Sequence, residues 1–107
     1  MTSYELGRVI DERQRAGRAY LEFLRFPSMS LGIYSLPAGG VDPQKPHNED
    51  EIYYVLQGRA TIRVGSEDRL VESGSLVFVP ANVEHHFHSI TEELTLLVFF
   101  APAESPA

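Results

Sequence analysis

Three side chains in this sequence have the types and spacing to hold a divalent metal ion. His47 stands four residues before Glu51, across the short polar segment Asn48-Glu49-Asp50, and Glu51 opens the β-prone run through Gln57. A tight turn between them brings an imidazole and a carboxylate to one side. His85 follows the segment Gly74–Pro80 and stands where another β-prone run begins. Strand alternation puts Glu51, Tyr53, Val55 and Gln57 on one face, and Ile52, Tyr54 and Leu56 on the other. The same rule groups His85 with Phe87 and turns His86 and His88 away. Two nitrogens and one oxygen suit Fe, Mn, Co, Ni, Cu or Zn and leave positions open for water or substrate. With Fe(II) this is the facial-triad donor set.

Such a set needs a rigid frame, and most of the chain reads as β. Leu6, Val9, Ile10 and Arg13 recur at helical spacing, with Ser3 as N-cap and Gly17 as stop, which predicts one helix over Tyr4–Ala16. After Gly17 the expected strands are Tyr20–Phe26, Ser30–Leu36, Glu51–Gln57, Arg59–Val64, Arg69–Glu72, Leu76–Val79, His86–Ile90 and Leu94–Phe99. Gly58 reads as the turn of a hairpin between the third and fourth. Short strands at regular spacing with Gly and Pro turns predict an all-β fold, a small closed β-barrel or jelly roll with one short N-terminal helix. Closure would also protect the apolar strand Leu96–Phe100 from edge pairing. The expected organisation is a single domain over 1–107: a helical arm at 1–18, a barrel at 19–101 and a frayed tail at 102–107.

At 107 residues the chain supports one core. It has no cysteine, hence neither disulfides nor a thiolate metal site. A formal charge of -6 argues against nucleic acid and anionic membranes as partners. The longest strongly apolar stretch, Leu94–Ala101, is too short to span a bilayer, and the first residues lack the basic and apolar regions of a secretion signal. The expected location is therefore cytoplasmic. Asp11–Arg18 reads as a solvated helix face.

The motifs resemble those of the cupins, small β-barrel proteins. The first cupin motif is matched by Gly39, five residues, Lys45-Pro46-His47, three residues, Glu51, six residues and Gly58. The second is matched by Gly74, five residues, Pro80-Ala81-Asn82, two residues, His85, three residues and Ser89. Three positions depart from the pattern. Asn82 replaces a turn glycine, a mild change because Asn tolerates left-handed backbone. Ser89 replaces an asparagine, with little consequence for ligands. Lys45, the only lysine in the chain, replaces the first histidine ligand.

Lys45 admits three readings. It turns outward while His47, Glu51 and His85 hold the metal, and then a fixed cation beside the site favours an anionic substrate. Alternatively it lies inside with a lowered pKa, as a general base or a ligand. In the third case it pairs with Glu51 and no metal binds. The resemblance implies a divalent transition metal (Fe, Mn, Ni, Cu or Zn) on His47, Glu51 and His85. It also implies dioxygenase, isomerase or lyase chemistry on a small organic acid or polar metabolite, with Lys45 and Tyr53 as catalytic candidates. The alternative is a non-catalytic binder of a sugar-like small molecule. Homodimer formation is expected, with apolar material near Tyr20–Phe26 and Leu94–Phe100. Glu49 and Asp50 read as turn residues facing solvent, with Glu49 in reserve as a ligand. Val55 and Phe87 read as packing, and Tyr34 as a hydroxyl whose direction the sequence leaves open.

Overall fold

The computed structural model describes residues 1–105. Its elements are helix α1 (Leu6–Ala16) and strands β1 (Tyr20–Phe26), β2 (Met29–Leu36), β3 (Asp50–Val64), β4 (Glu67–Glu72), β5 (Leu76–Val79) and β6 (His85–Ala101). α1 stops at Gly17, whose φ of 68° lets its N–H return to the carbonyls of Arg13 and Gln14. The helix begins two residues later than expected. Glu5 rather than Ser3 occupies the N-cap, with no side-chain hydrogen bond. Val9 alone of the helix is buried, so α1 lies on the sheet as an arm. None of the helices described is long and apolar enough to cross a membrane.

All strand pairings are antiparallel, in the order β1-β2-β6-β3-β4, with β5 paired to Glu51–Tyr54 of β3 on the edge opposite β6. β3 has 15 residues and β6 has 17. At about 3.3 Å per residue a straight β3 would be about 50 Å long, more than the largest extent of the molecule, 38 Å. Both strands must therefore bend. His85 is register partner to Val64 at the far end of β3, yet its ring touches Glu51 at the near end. The bend has a cause in the sequence. At Gly58 φ is 105°, and a Cβ there would lie 2.2 Å from the carbonyl oxygen of Glu93. Only glycine permits that approach, and the β3–β6 register slips on both sides of it. Gly58 is thus a bulge within one strand, and the expected hairpin at this position is replaced by the continuous β3. Likewise the two runs expected over His86–Phe99 form one strand, β6, broken only by Ser89 at φ 51°.

The bent sheet wraps one core, to which β2 through β6 contribute Ile62, Val71, Val79, Phe87, Leu96 and Val98 among others. Backbone hydrogen bonds do not close the sheet, so the closure expected of a barrel is not made through the ladder. The residues considered above for chemistry lie at the start of β3 and of β6 and in the loop before β3.

Candidate metal centre

Glu51 and His85 arrive at the centre by strand alternation. Glu51 is 1% exposed and His85 4%, while Ile52, Tyr54 and His86 face outward. His47 comes from the loop before β3. That loop is tied to the second motif, since the N–H of Asn82, at φ 66°, donates to the His47 carbonyl at 2.7 Å. The three ligand atoms lie within 4.8 Å of one another. His85 Nε2 is 3.1 Å from Glu51 Oε1 and His47 Nε2 is 3.9 Å from it. None of the expected ligands is displaced.

The decisive detail is what these atoms lack. Both carboxylate oxygens of Glu51 and Nε2 of His85 are buried and have no hydrogen-bond partner. His85 Nε2 and Glu51 Oε1 are close, but they are not aligned as donor and acceptor. Burying polar atoms without partners costs about 1–3 kcal/mol each, and more for a charge. A cation between them would satisfy all three. His85 Nδ1 donates to the Val83 carbonyl at 3.0 Å, an arrangement that directs the Nε2 lone pair to the centre. Burial alone would lower the His85 pKa, but the Glu51 carboxylate and the Val83 carbonyl outweigh it and the pKa is raised. The donor set and the orphaned atoms fit a divalent transition metal.

A polar chain holds His47. Asp42, buried beside β6, accepts the Phe87 N–H at 2.9 Å, the Tyr34 hydroxyl at 2.7 Å and the Gln44 side-chain amide at 2.8 Å. The oriented Gln44 Oε1 then accepts the Tyr53 hydroxyl at 2.8 Å and faces His47 Nε2 at 3.2 Å. Sequence reasoning missed Asp42 and Gln44, because a polar pair in a Pro-rich loop carries no periodic signal. Tyr53 packs edge-on against Phe87. Burial and the charge of Glu51 push its phenol pKa well up, so Tyr53 acts as a hydrogen-bond donor and not as a base. Burial, then Asp42, does the same at Tyr34.

A cavity of about 150 Å³ lies against the centre, lined by Tyr20, Tyr34, Gln44, His47, Tyr53 and Glu104 among others. Outside it is a larger groove of about 880 Å³, lined by Arg25, Lys45, His47, Glu49 and Glu104 among others. Lys45 is exposed and lines only this groove. Its pairing with Glu51 is not formed, and the ion pairs among the described residues do not include it.

Three expectations are corrected here. Glu49 is buried, 5% exposed, and its Oε2 accepts the N–H and hydroxyl of Ser105 at 3.2 and 2.8 Å. The segment after β6 does not fray through residue 105: Glu104 lies at the centre, with Oε2 3.3 Å from His47 Nδ1. Residues 106 and 107 of the expected tail lie outside the described residues. Gln57 is exposed and does not share the buried face of Glu51, because the bulge at Gly58 interrupts the alternation. His88 is half-buried at the surface and contacts Asp68 at 2.8 Å.

Fold and centre together define a class, and comparison with known proteins gives the same one. A family model described as "Cupin domain" matches residues 32–101. An uncharacterized protein of Streptomyces coelicolor is 50% identical over 105 residues, 98% of this chain and 100% of that one. The chain belongs to the cupin family. Among solved structures, TT1209 from Thermus thermophilus superposes with a TM-score of 0.73 at 27% identity, over 96% of this chain and 99% of that one. The cupin domain of Schizosaccharomyces pombe Cnp3 gives 0.71 at 21% identity over 78% of this chain. This chain covers 63% of that domain's chain, and the likeness is one of fold.

Proposed function

We propose that this cupin is a small metalloenzyme holding Fe, Mn, Ni, Cu or Zn on His47, Glu51 and His85, and acting on a small organic acid or polar, oxygen-bearing metabolite. The observation that carries the reading is that one ligand atom each of His47, Glu51 and His85 lie within 4.8 Å of one another, while both Glu51 oxygens and His85 Nε2 are buried without a hydrogen-bond partner. The ion, when bound, would supply Lewis-acid activation of a carbonyl or enol, or O₂ activation if it is iron. The protein's own groups do the rest. Glu51 and the two histidines supply the ligand atoms. Tyr20 presents a buried hydroxyl without a partner on the cavity wall, a donor for a substrate oxygen. Tyr53 fixes Gln44, whose Oε1 faces His47 Nε2 when no ion is bound. Lys45, at the rim, attracts an anionic substrate into the groove. The charged tip of a long side chain in that groove favours a carboxylate over a neutral ligand.

The cavity also supports a second reading, a non-catalytic binder of a sugar-like small molecule. Its walls offer phenol donors whose raised pKa values keep them protonated, which suits binding better than proton removal. We further propose a cytoplasmic protein, consistent with the absence of cysteine. We also propose a homodimer through the outer face of β3 and β5, where Ile52, Tyr54, Leu76 and Phe78 are exposed side by side. Of the strand near the C-terminus only Leu97 and Phe99 face outward, since Leu94, Leu96, Val98 and Phe100 fill the core.

The test is elemental analysis of untagged protein beside Glu51→Ala and His47→Ala/His85→Ala. Near-stoichiometric transition metal in the wild type, lost in both variants, supports the metalloenzyme. A protein that takes up no metal on reconstitution refutes it. Ligand-induced thermal shifts without product would then favour the binder.

A further inference from the structure

The first histidine of the motif is replaced by Lys45, which lies outside the cavity, and the carboxylate of Glu104 stands in the cavity wall instead. We propose that Glu104 is a positioning residue for the metal centre: it accepts the Nδ1 proton of His47 and thereby directs the Nε2 lone pair at the ion. The inference rests on the metal reading above.

Metal binding through His47 Nε2 requires such a partner. Nε2 is the nitrogen that faces Glu51, at 3.9 Å, and the His47 and His85 rings are 5.3 Å apart between centroids. A neutral imidazole that gives its Nε2 lone pair to a cation carries its proton on Nδ1. That proton needs an acceptor, and the order carboxylate–histidine–metal is the recurrent solution. Glu104 Oε2 is the carboxylate oxygen nearest to Nδ1, at 3.3 Å, and is placed to take that proton. The Val83 carbonyl does the same for His85, so each imidazole has an acceptor beside its outer nitrogen; the inner nitrogen of His85 is unpartnered, and that of His47 faces Gln44 Oε1 at 3.2 Å, a contact the ion would replace.

The position of Glu104 is built rather than incidental. Its N–H donates to Ser30 Oγ at 3.0 Å, and Ser30 is fully buried in β2. Its carbonyl accepts Arg25 Nη2 at 2.7 Å. Ser105 is fixed to the buried Glu49 by two hydrogen bonds, and the Ala103 N–H reaches the Pro27 carbonyl. These contacts run from β1, β2 and the loop before β3 to three consecutive residues. They form a strap across the cavity mouth. The strap leaves the side chain of Glu104 as the boundary between inner cavity and outer groove, since it lines both.

The test is titration of the full-length, metal-free protein with Co(II). It follows the visible absorption of the bound ion and measures affinity by competition with a chelator. Four proteins are compared: wild type, Glu104→Gln, Glu104→Ala and Glu51→Ala. Loss of a carboxylate that orients a ligating histidine lowers metal affinity by about 10- to 100-fold. Glu104→Ala is expected to show that loss, with an altered Co(II) spectrum. Glu104→Gln, which keeps an acceptor oxygen but not the charge, is expected to fall between it and the wild type. Thermal unfolding in chelator separates this from collapse of the strap, because a purely structural role would lower the melting temperature of both variants and leave no graded spectral change. Wild-type affinity and spectrum in Glu104→Ala would overturn the inference while leaving the metal reading intact. A wild type that binds no more Co(II) than Glu51→Ala would overturn the metal reading, and the inference with it.

Discussion

Replacing Glu51 by glutamine should make the metal-free protein more stable and the metal-loaded protein less so. The carboxylate is 1% exposed and neither oxygen has a hydrogen-bond partner. Glutamine has nearly the same shape and no charge. It also places an amide donor where Oε1 now stands, 3.1 Å from the unpartnered Nε2 of His85. Removing one buried, unsatisfied charged acceptor is worth about 2 kcal/mol, before any hydrogen bond the amide gains by shifting into line with Nε2. For a domain of this size that raises the melting temperature by roughly 10 °C. Metal acts in the opposite direction. At 1,000 times its dissociation constant an ion stabilises the wild type by about 4.1 kcal/mol, and the variant, having lost a ligand, gains little. The order of stabilities should therefore reverse between chelator and excess Ni(II) or Zn(II), read by thermal or urea unfolding.

A pH trend accompanies the reversal. The His85 pKa is raised from its ordinary 6.5, in part by Glu51. The stability it contributes is fully present below that value and is lost as pH rises through the folded one. Glutamine cannot supply this term, so the advantage of the variant in chelator should be smallest in acid and grow with pH. A variant less stable than the wild type in chelator throughout the alkaline range would refute the reasoning. Glu51 and His85 would then be a net stabilising pair, not ligands held apart for an ion.

Other consequences are equally open to measurement. Burial, followed by the charges of Glu51, Glu49 and Glu22, pushes the Glu104 pKa from 4.5 up to about 7. The folded state thus holds a proton that the unfolded state releases, and metal-free stability should fall as pH rises from about 4.5 to about 7. Glu104→Gln should flatten that portion of the profile, and an unchanged slope would show that another group carries it. Gly58→Ala should cost about 3 kcal/mol or more, from positive-φ strain plus overlap with the Glu93 carbonyl. Urea unfolding at unchanged slope measures it, and a loss under about 1 kcal/mol would mean that β3 does not bend there. Ile52→Lys/Phe78→Lys should convert a dimer to a monomer in light scattering, and a dimer that survives both charges would place the interface elsewhere.

The parts of this fold that could be read from sequence are those governed by alternation. Glu51, Tyr53 and Val55 point inward and Ile52 and Tyr54 outward, as a period of two requires, and His85 with Phe87 follows the same rule. The motif spacing likewise groups His47, Glu51 and His85, whose ligand atoms lie within 4.8 Å of one another. Alternation fails where one glycine serves two purposes. Gly58 suggested a turn, since glycine after a β run usually ends it. In fact its missing side chain lets two backbones touch in mid-strand, a long-range contact with Glu93 and Leu94 that no local pattern encodes. The segment 102–105 reads as a frayed tail for a related reason. It is short and rich in Pro and Ala, and its anchors are largely backbone groups met by Ser30, Arg25 and Pro27, residues more than 70 positions away. Asp42 and Gln44 escaped notice because their importance comes from whom they touch, not from what precedes or follows them.

The solitary lysine has a practical consequence. Lys45 is exposed at the rim of the outer groove, two residues from His47. Reductive methylation with ¹³C-labelled formaldehyde would mark this one side-chain amine, and apart from the chain's α-amino group nothing else would respond. Its methyl resonance would then serve as a probe positioned over the centre. A paramagnetic ion seated on the two imidazoles would broaden it, and a diamagnetic one would leave it sharp. A carboxylate drawn into the groove would shift it in either case, so that occupancy of the centre and arrival of an anionic ligand could be followed separately in one spectrum.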